Sequence, residues 1–377
     1  MAAATKAVAP WVRTRLRTAP GAAAALFLLV LLTSCLAAAF PRAVDRYEDK
    51  GLRQAVADEA PSRMILNITA SDSDAGLPPE FQGEKPTARA IGAAYRKITA
   101  SLKEPFVADP RESSYGARSP EGMASPEDWL PQPDGLPPEF TMYAQNGLAA
   151  HTEVTAGRLP GADFTADRIE AAVTRDTARR MHLKVGSVLH VPGADARPIA
   201  VHITGVVVPR DASGAYWSAT PLLRTAALRS TDAIPPSHFW AAGLLLHPDA
   251  APALVNTSGQ AEQYWQIAPD TSAFTARRIP ALKAGLAYTM NGPGLPAVRK
   301  ATGSTTTDVS SGLTDVIARF EELRSGITPV VAVAAYGTGT VACIVLLMAG
   351  GLAADRRRAE LALLRSRGGS LRGIGGR

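Results

Sequence analysis

Cysteine is nearly absent from this chain of 377 residues: Cys35 and Cys343 are the only two, and each lies inside an apolar run. A disulfide framework is thereby excluded, and the polar middle of the chain must be held by core packing alone. No G-x-x-x-x-G-K-[ST] loop occurs, so nothing in the chain cradles a nucleotide phosphate as a P-loop does. There is no G-x-S-x-G elbow and no H-E-x-x-H pair. The six histidines (151, 182, 190, 202, 238, 247) lack metal-ligand spacing. Neither a catalytic residue nor a cofactor or metal site can be picked from the sequence, and the chain is not expected to be an enzyme.

Acidic residues are missing from the first twenty positions, which carry Lys6, Arg13, Arg15 and Arg17. The far end is also basic, with seven arginines between Asp355 and Arg377 against Asp355 and Glu360. The formal charge of +6 therefore sits at the two ends, and the long middle is negative. Such a distribution speaks against nucleic acid as a partner and for anionic lipid at the basic termini.

Two long uncharged runs lie just inside these basic ends. Residues 21–40 hold no charge over twenty positions, and 327–354 hold none over twenty-eight, closing on Asp355-Arg356-Arg357-Arg358. As helices, both are long enough to cross a hydrocarbon layer of about 30 Å. Basic flanks resist translocation, so the expected topology is 1–20 in the cytoplasm, a span at 21–40, an extracytoplasmic domain at 41–326, a span at 327–354, and a cytoplasmic basic amphipathic segment at 355–377. The expected location is a bacterial inner membrane. The first segment also has features of a secretory signal, and Leu32-Thr33-Ser34-Cys35 has the pattern at which lipoprotein signals are cut, although the residues after Cys35 stay apolar. In the second span Ala335, Gly339 and Cys343 recur every four residues, a line of small side chains suited to close helix packing.

The fold class expected for the middle is mixed α+β, flanked by helical stalks. An amphipathic stretch opened by Pro41 (Val44, Tyr47, Gly51, Ala55, Val56) predicts one stalk at about 41–59. A second stripe (Val309, Leu313, Val316, Ile317, Phe320, Leu323, Ile327) predicts the other at about 309–326. Between them, Met64 to Ala70 alternates as a strand, and Ile91, Ala94, Tyr95, Ile98 and Leu102 mark a helix. Eight prolines in 105–140 predict a long surface loop. Gly76-Leu-Pro-Pro-Glu-Phe81 recurs letter for letter at Gly135–Phe140, read as two similar extended turns. Residues 152–209 read as a compact β-rich unit: strands at 169–174, 185–191 and 199–208, and a short helix through Ala178, Met181 and Leu183. A strand is expected at 243–247, and a Ser/Thr-rich hinge at 303–311.

Two segments carry a family resemblance. Gly157-Arg158-Leu159-Pro160, the strand and helix from Glu170, and Leu183-Lys-Val-Gly186-Ser187 leading to Gly205 form the first. The second is Arg357-Arg358-Ala-Glu360-Leu361-Ala-Leu363-Leu364-Arg365. Together they resemble FtsX-like (MacB-type) ABC transporter permeases, in their N-terminal portion. The resemblance implies a periplasmic-core-like outer domain and a dimer of permease subunits. It also implies a separate cytoplasmic ABC ATPase, with energy passed outward through the stalks. Arg357, Arg358, Glu360, Leu361, Leu363, Leu364 and Arg365 are then the candidates for ATPase coupling, and Gly157, Arg158, Pro160, Gly186 and Gly205 are structural. Ser187 stands where the family more often has Asp or Asn. The family has further spans after this point, which implies a missing C-terminal half, in the same or another chain. The alternative is a membrane-anchored ligand-binding or sensor protein without catalysis of its own.

Overall fold

A computed structural model describes residues 20–71, 87–165, 167–195 and 197–366. The chain divides into two units, Met1–Glu48 with Glu321–Arg377, and Asp49–Phe320.

The helices used below are α1 (Pro20–Ala57), α2 (Pro61–Met64), α3 (Ala88–Ser101), α4 (Leu148–His151), α5 (Arg175–Arg180), α6 (Ala215–Ser218), α7 (Pro221–Arg224), α8 (Ile279–Met290), α9 (Leu295–Thr302) and α10 (Leu313–Ser366). The strands are β1 (Leu66–Ser71), β2 (Ser114–Arg118), β3 (Met123–Ala124), β4 (Glu139–Gln145), β5 (Thr152–Gly157), β6 (Arg168–Thr174), β7 (Val188–Pro192), β8 (Pro198–Pro209), β9 (Ala227–Ser230), β10 (His238–Leu246), β11 (Glu262–Ile267) and β12 (Asp308–Ser311).

All twelve strands join one sheet in Asp49–Phe320, in the order β12-β1-β11-β2-β4-β10-β6-β8-β5, with β3, β7 and β9 paired onto β4, β8 and β10. The sheet is mixed, since β4 with β10 and β6 with β8 are parallel pairs. Alternation along the strands sends Leu66, Ile68, Ala117, Phe140, Met142, Leu244, Ile169, Val201 and Trp265 to one face, where they form the main core. That core is completed by Ile91 and Ile98 of α3, Leu282 of α8 and Val298 of α9. The Trp265 indole donates to the Ile91 carbonyl at 3.0 Å, which satisfies a buried polar group at the sheet-helix contact. The opposite face carries a smaller cluster, in which Tyr143, Ala172, Val207, Leu245 and Tyr264 lie beneath Tyr216 and Trp217 of α6 and Leu223 of α7.

Two helices are long and apolar enough to cross a membrane, with candidate spans at Phe27–Ala57 and Pro329–Gly351, and in neither is the apolar stretch buried within the chain. The chain thus combines a mixed α+β sheet domain with two candidate spanning helices, as expected at that level. Within Asp49–Phe320, Leu52 and Val56 of α1 join the core with Leu313, Val316, Ile317 and Phe320 of α10. An ion pair of 2.9 Å links Arg319 to Glu59. Within the other unit Arg324 pairs with Glu48 at 2.7 Å.

Several boundaries differ from expectation. Pro41 lies inside α1 rather than opening a new helix, and α1 stops at Ala57. Val309 belongs to β12 and α10 starts at Leu313, so the second stripe begins as a strand and the expected hinge at 303–311 is partly sheet. Leu323 and Ile327 are exposed, so the buried part of that stripe ends at Phe320. The largest correction concerns 105–140: β2 pairs there with both β11 and β4, and Ser114, Ala117, Met123 and Leu130 are buried. Prolines 105, 110, 120 and 126 flank these short strands instead of interrupting them, so a proline-rich composition coexists with central pairing. The second Gly-Leu-Pro-Pro-Glu-Phe copy begins at Gly135 with φ +76° and delivers Phe140 to the core on β4, while the first copy lies outside the described residues.

Candidate functional site

The first motif segment forms a locked turn at the β5 end of the sheet. Gly157 and Gly205 face each other across β5 and β8. A Cβ on Gly157 would stand 2.1 Å from the Thr204 carbonyl oxygen, and one on Gly205 would stand 2.1 Å from that of Arg158, so neither site tolerates a side chain. Gly157 also holds φ +71°, a left-handed conformation open to glycine. Arg158 then reaches Glu170 on β6 with two hydrogen bonds, at 2.7 and 2.6 Å, and Glu170 also accepts from the Gly161 amide at 2.8 Å. These bonds hold the Glu170 carboxyl below the ordinary carboxylate range. Pro160 is buried in the turn. Gly186, with φ +92°, turns the chain into β7, and the Ser187 hydroxyl accepts the Lys184 amide at 3.1 Å. The motif residues therefore build scaffold, and no reactive pair arises among them.

The other sequence candidates fall on α10. Ala335 is half-buried, while Gly339 and Cys343 are exposed, so the small-residue line is an open strip on this chain. Arg357, Arg358, Glu360, Leu361, Leu363, Leu364 and Arg365 lie in the last turns of the same helix, whose backbone runs to Ser366; their side chains lie outside the described residues. The basic segments 1–19 and 367–377 also lie outside them.

A site that the sequence reading missed lies on the second face of the sheet, at the β12 end. A cavity of about 360 Å³ opens where α2 leads into β1 and where β12 leads into α10. Ser62, Ile65 and Asn67 form one wall, and Ser310, Ser311 and Gly312 form another. Arg118, Gln266 and Ala219 close it. Pairing register explains the lining: Asn67 lies between Ser310 and Gln266 on neighbouring strands, and all three point to the face away from the main core. Gln266 is buried, accepts from the Ser114 hydroxyl at 2.8 Å and donates to Thr220 at 3.2 Å. Arg118 donates to one Glu262 carboxylate oxygen through Nε at 2.7 Å and Nη2 at 2.6 Å, and its guanidinium lies over the Tyr264 ring. The Glu262 charge favours the protonated guanidinium against the cost of its burial. Asn67 Oδ1 is buried and finds no hydrogen-bond partner in the protein.

The signal for this cavity was present as polar residues in alternation at 67/69/71, 114/118, 262/266 and 308/310. It became visible only once four strands from distant parts of the chain were in register. Among the described residues, no group of three or more His, Cys, Asp or Glu is placed to hold a metal ion. In comparisons with known proteins, no family model and no curated protein matches the chain.

Proposed function

We propose that the chain is the permease subunit, or the N-terminal portion of one, of an FtsX/MacB-like ABC transporter, located in a bacterial inner membrane. In this reading both termini are cytoplasmic and Asp49–Phe320 is extracytoplasmic. ATP is hydrolysed by a separate cytoplasmic ATPase docked on the helix end that carries Arg357, Arg358, Glu360 and the Leu361, Leu363, Leu364 cluster. A second permease copy, or a missing C-terminal half, packs against the open Ala335, Gly339, Cys343 strip. Displacement travels along α1 and α10 to the sheet domain, which performs mechanical work and has no catalysis of its own.

The observation that carries this reading is the order of elements: two apolar helices bracket one α+β sheet domain. Their domain-side ends are built into its core through Leu52, Val56, Val316, Ile317 and Phe320. The motif segments supply the family, and the basic ends supply the orientation. The test is affinity purification of the tagged full chain from its native membranes. Co-purification of a P-loop ATPase is expected, with loss of that ATPase when Glu360 and Leu364 are both replaced by Arg. Recovery of the intact chain without any ATPase rejects the permease reading. A second reading, a membrane-anchored ligand-binding protein, draws its support from the polar cavity at the β12 end of the sheet.

A further inference from the structure

We infer that the helical layer over the main core is a docking face for an anionic lipid surface, held there by charge alone.

Charge in this layer is one-sided. From Thr87 to Lys103 the chain holds Arg89, Arg96, Lys97 and Lys103 and no acid, and from Thr271 to Thr307 it holds Arg277, Arg278, Lys283, Arg299 and Lys300 and no acid. The two stretches are distant in sequence, yet α3, α8 and α9 lie on one face of the sheet, where Ile98, Leu282 and Val298 point into the main core. There α9 packs along α3, and the Lys103 ammonium stands 3.6 Å over the Tyr288 ring of α8. With the inward sides apolar, the basic side chains have only the outward sides left, and every one of them is exposed. The middle of the chain is negative overall, so its acids are gathered elsewhere. Little is neutralised from within: Glu104 reaches Arg278 at 2.8 Å, but among the described residues no ion pair reaches Arg89, Arg96, Lys97, Arg299 or Lys300.

What the layer lacks narrows the partner. No large apolar or aromatic side chain is exposed between 87 and 104 or between 271 and 307. A protein partner draws most of its affinity from such anchors, and single-stranded nucleic acid stacks its bases on exposed aromatics. Between the charges stand Ala90, Ala100, Ala281, Ala284 and Pro296, too short to enter hydrocarbon. The result is a broad, low surface of fixed positive charges, which suits a layer of headgroup phosphates.

A bilayer is also the polyanion nearest to hand. The chain enters and leaves the sheet domain through the helices that carry the two candidate spans. The basic layer begins against the first of them, where the Ala276 amide donates to Asp49 of α1 at 2.8 Å. Asp49 lies on the same helix as the uncharged run 21–40, nine residues past its end. Tethering of this kind raises the local concentration of headgroups far above that of a soluble anion. The inference rests on the membrane-spanning part of the reading above and not on the ATPase.

The full chain in nanodiscs tests it. With Cys35→Ser and Cys343→Ser, a fluorophore is attached through Ala100→Cys on α3, and the lipids carry a spin label on their headgroups that quenches nearby emission. In discs of phosphatidylcholine with phosphatidylglycerol, quenching at about 0.1 M salt is expected to be at least threefold that in phosphatidylcholine alone. At about 1 M salt the screening length falls from about 10 Å to about 3 Å, and the excess is expected to vanish. Arg96→Glu, Lys97→Glu and Lys300→Glu together are expected to abolish it with Tm unchanged. A label through Ala212→Cys, exposed beside α6 on the second face, is expected to show no excess. Equal quenching in both lipids overturns the inference, as does an excess that survives the high salt or the triple replacement. Quenching that stays at the phosphatidylcholine level while polyaspartate or duplex DNA shifts the emission of the α3 label also overturns it, and assigns the face to a soluble polyanion. Co-purification of an ATPase is unaffected by any of these outcomes, so failure here is separable from failure of the permease reading.

Discussion

Two regions of this chain are rich in large apolar side chains and treat them in opposite ways. In the sheet, Trp265 and Leu244 are fully buried, while on the Pro329–Gly351 segment of α10 Tyr336 is 79% and Val333 73% exposed. The difference lies in pattern more than in composition. Sheet residues alternate, so at the β12 end Leu66, Ile68, Ala117 and Trp265 lie on the main-core face and the polar Asn67, Gln266 and Arg118 on the other. The stretches 27–40 of α1 and Pro329–Gly351 of α10 carry no charged side chain on any face, which suits a hydrocarbon surrounding. The lesson is that hydrophobicity marks what a residue avoids, and the period of the pattern marks which solvent replaces it.

The sharpest way to break this contrast is to remove matched bulk from both regions. Trp265→Ala is expected to lose about 3–5 kcal/mol of domain stability, measured by chemical denaturation, because it opens the main core and strips the Ile91 carbonyl of its donor. Leu347→Ala, on an exposed position of α10, is expected to leave that transition in place. A charge probes the other solvent. Val341→Arg, near the middle of the second candidate span, is expected to raise the apparent insertion free energy by roughly 2.5–3.5 kcal/mol, read as a lower membrane-integrated fraction. An unchanged membrane-integrated fraction would show that hydrocarbon does not surround position 341.

Smaller effects sharpen the picture at the ends of the sheet and helices. Gly205→Ala forces a Cβ toward the Arg158 carbonyl, and a loss of about 1–3 kcal/mol is expected in denaturation. Arg158→Ala removes both hydrogen bonds to Glu170, so the Glu170 carboxyl is expected to titrate at higher pH in the variant, followed by carboxyl NMR. The sign for the native protein follows from linkage: a depressed folded-state pKa adds stability above the unfolded pKa. That increment is lost as pH falls through the folded value. Glu48→Ala removes the pair with Arg324, and a change of only about 0.2–1 kcal/mol is expected, as for other surface pairs.

Much of the fold was legible because its signals are local. The helix through Ile91, Ala94 and Ile98 and the strand at 199–208 follow from period, and both long apolar helices from the length of their uncharged runs. The segment 105–140 was not legible, because its strands are five and two residues long and owe their existence to partners far away in the chain. The Gly157-Arg158-Leu159-Pro160 turn was legible as a motif, yet its reason, the contact with Gly205 and the reach to Glu170, was not. The polar cavity was legible only as scattered polar alternation, since Asn67, Arg118, Gln266 and Ser310 lie on four distant strands with no spacing in common.

By itself the amino-acid sequence determined the two apolar helices, the basic ends and the α+β character of the middle, because charge, length and periodicity act over a few residues at a time. Only the tertiary structure decided that a proline-rich stretch enters the sheet and that distant polar residues share one wall. Strand pairing is chosen by the whole set of partners that bury their apolar faces together, and a one-residue change in register sends every side chain to the other face.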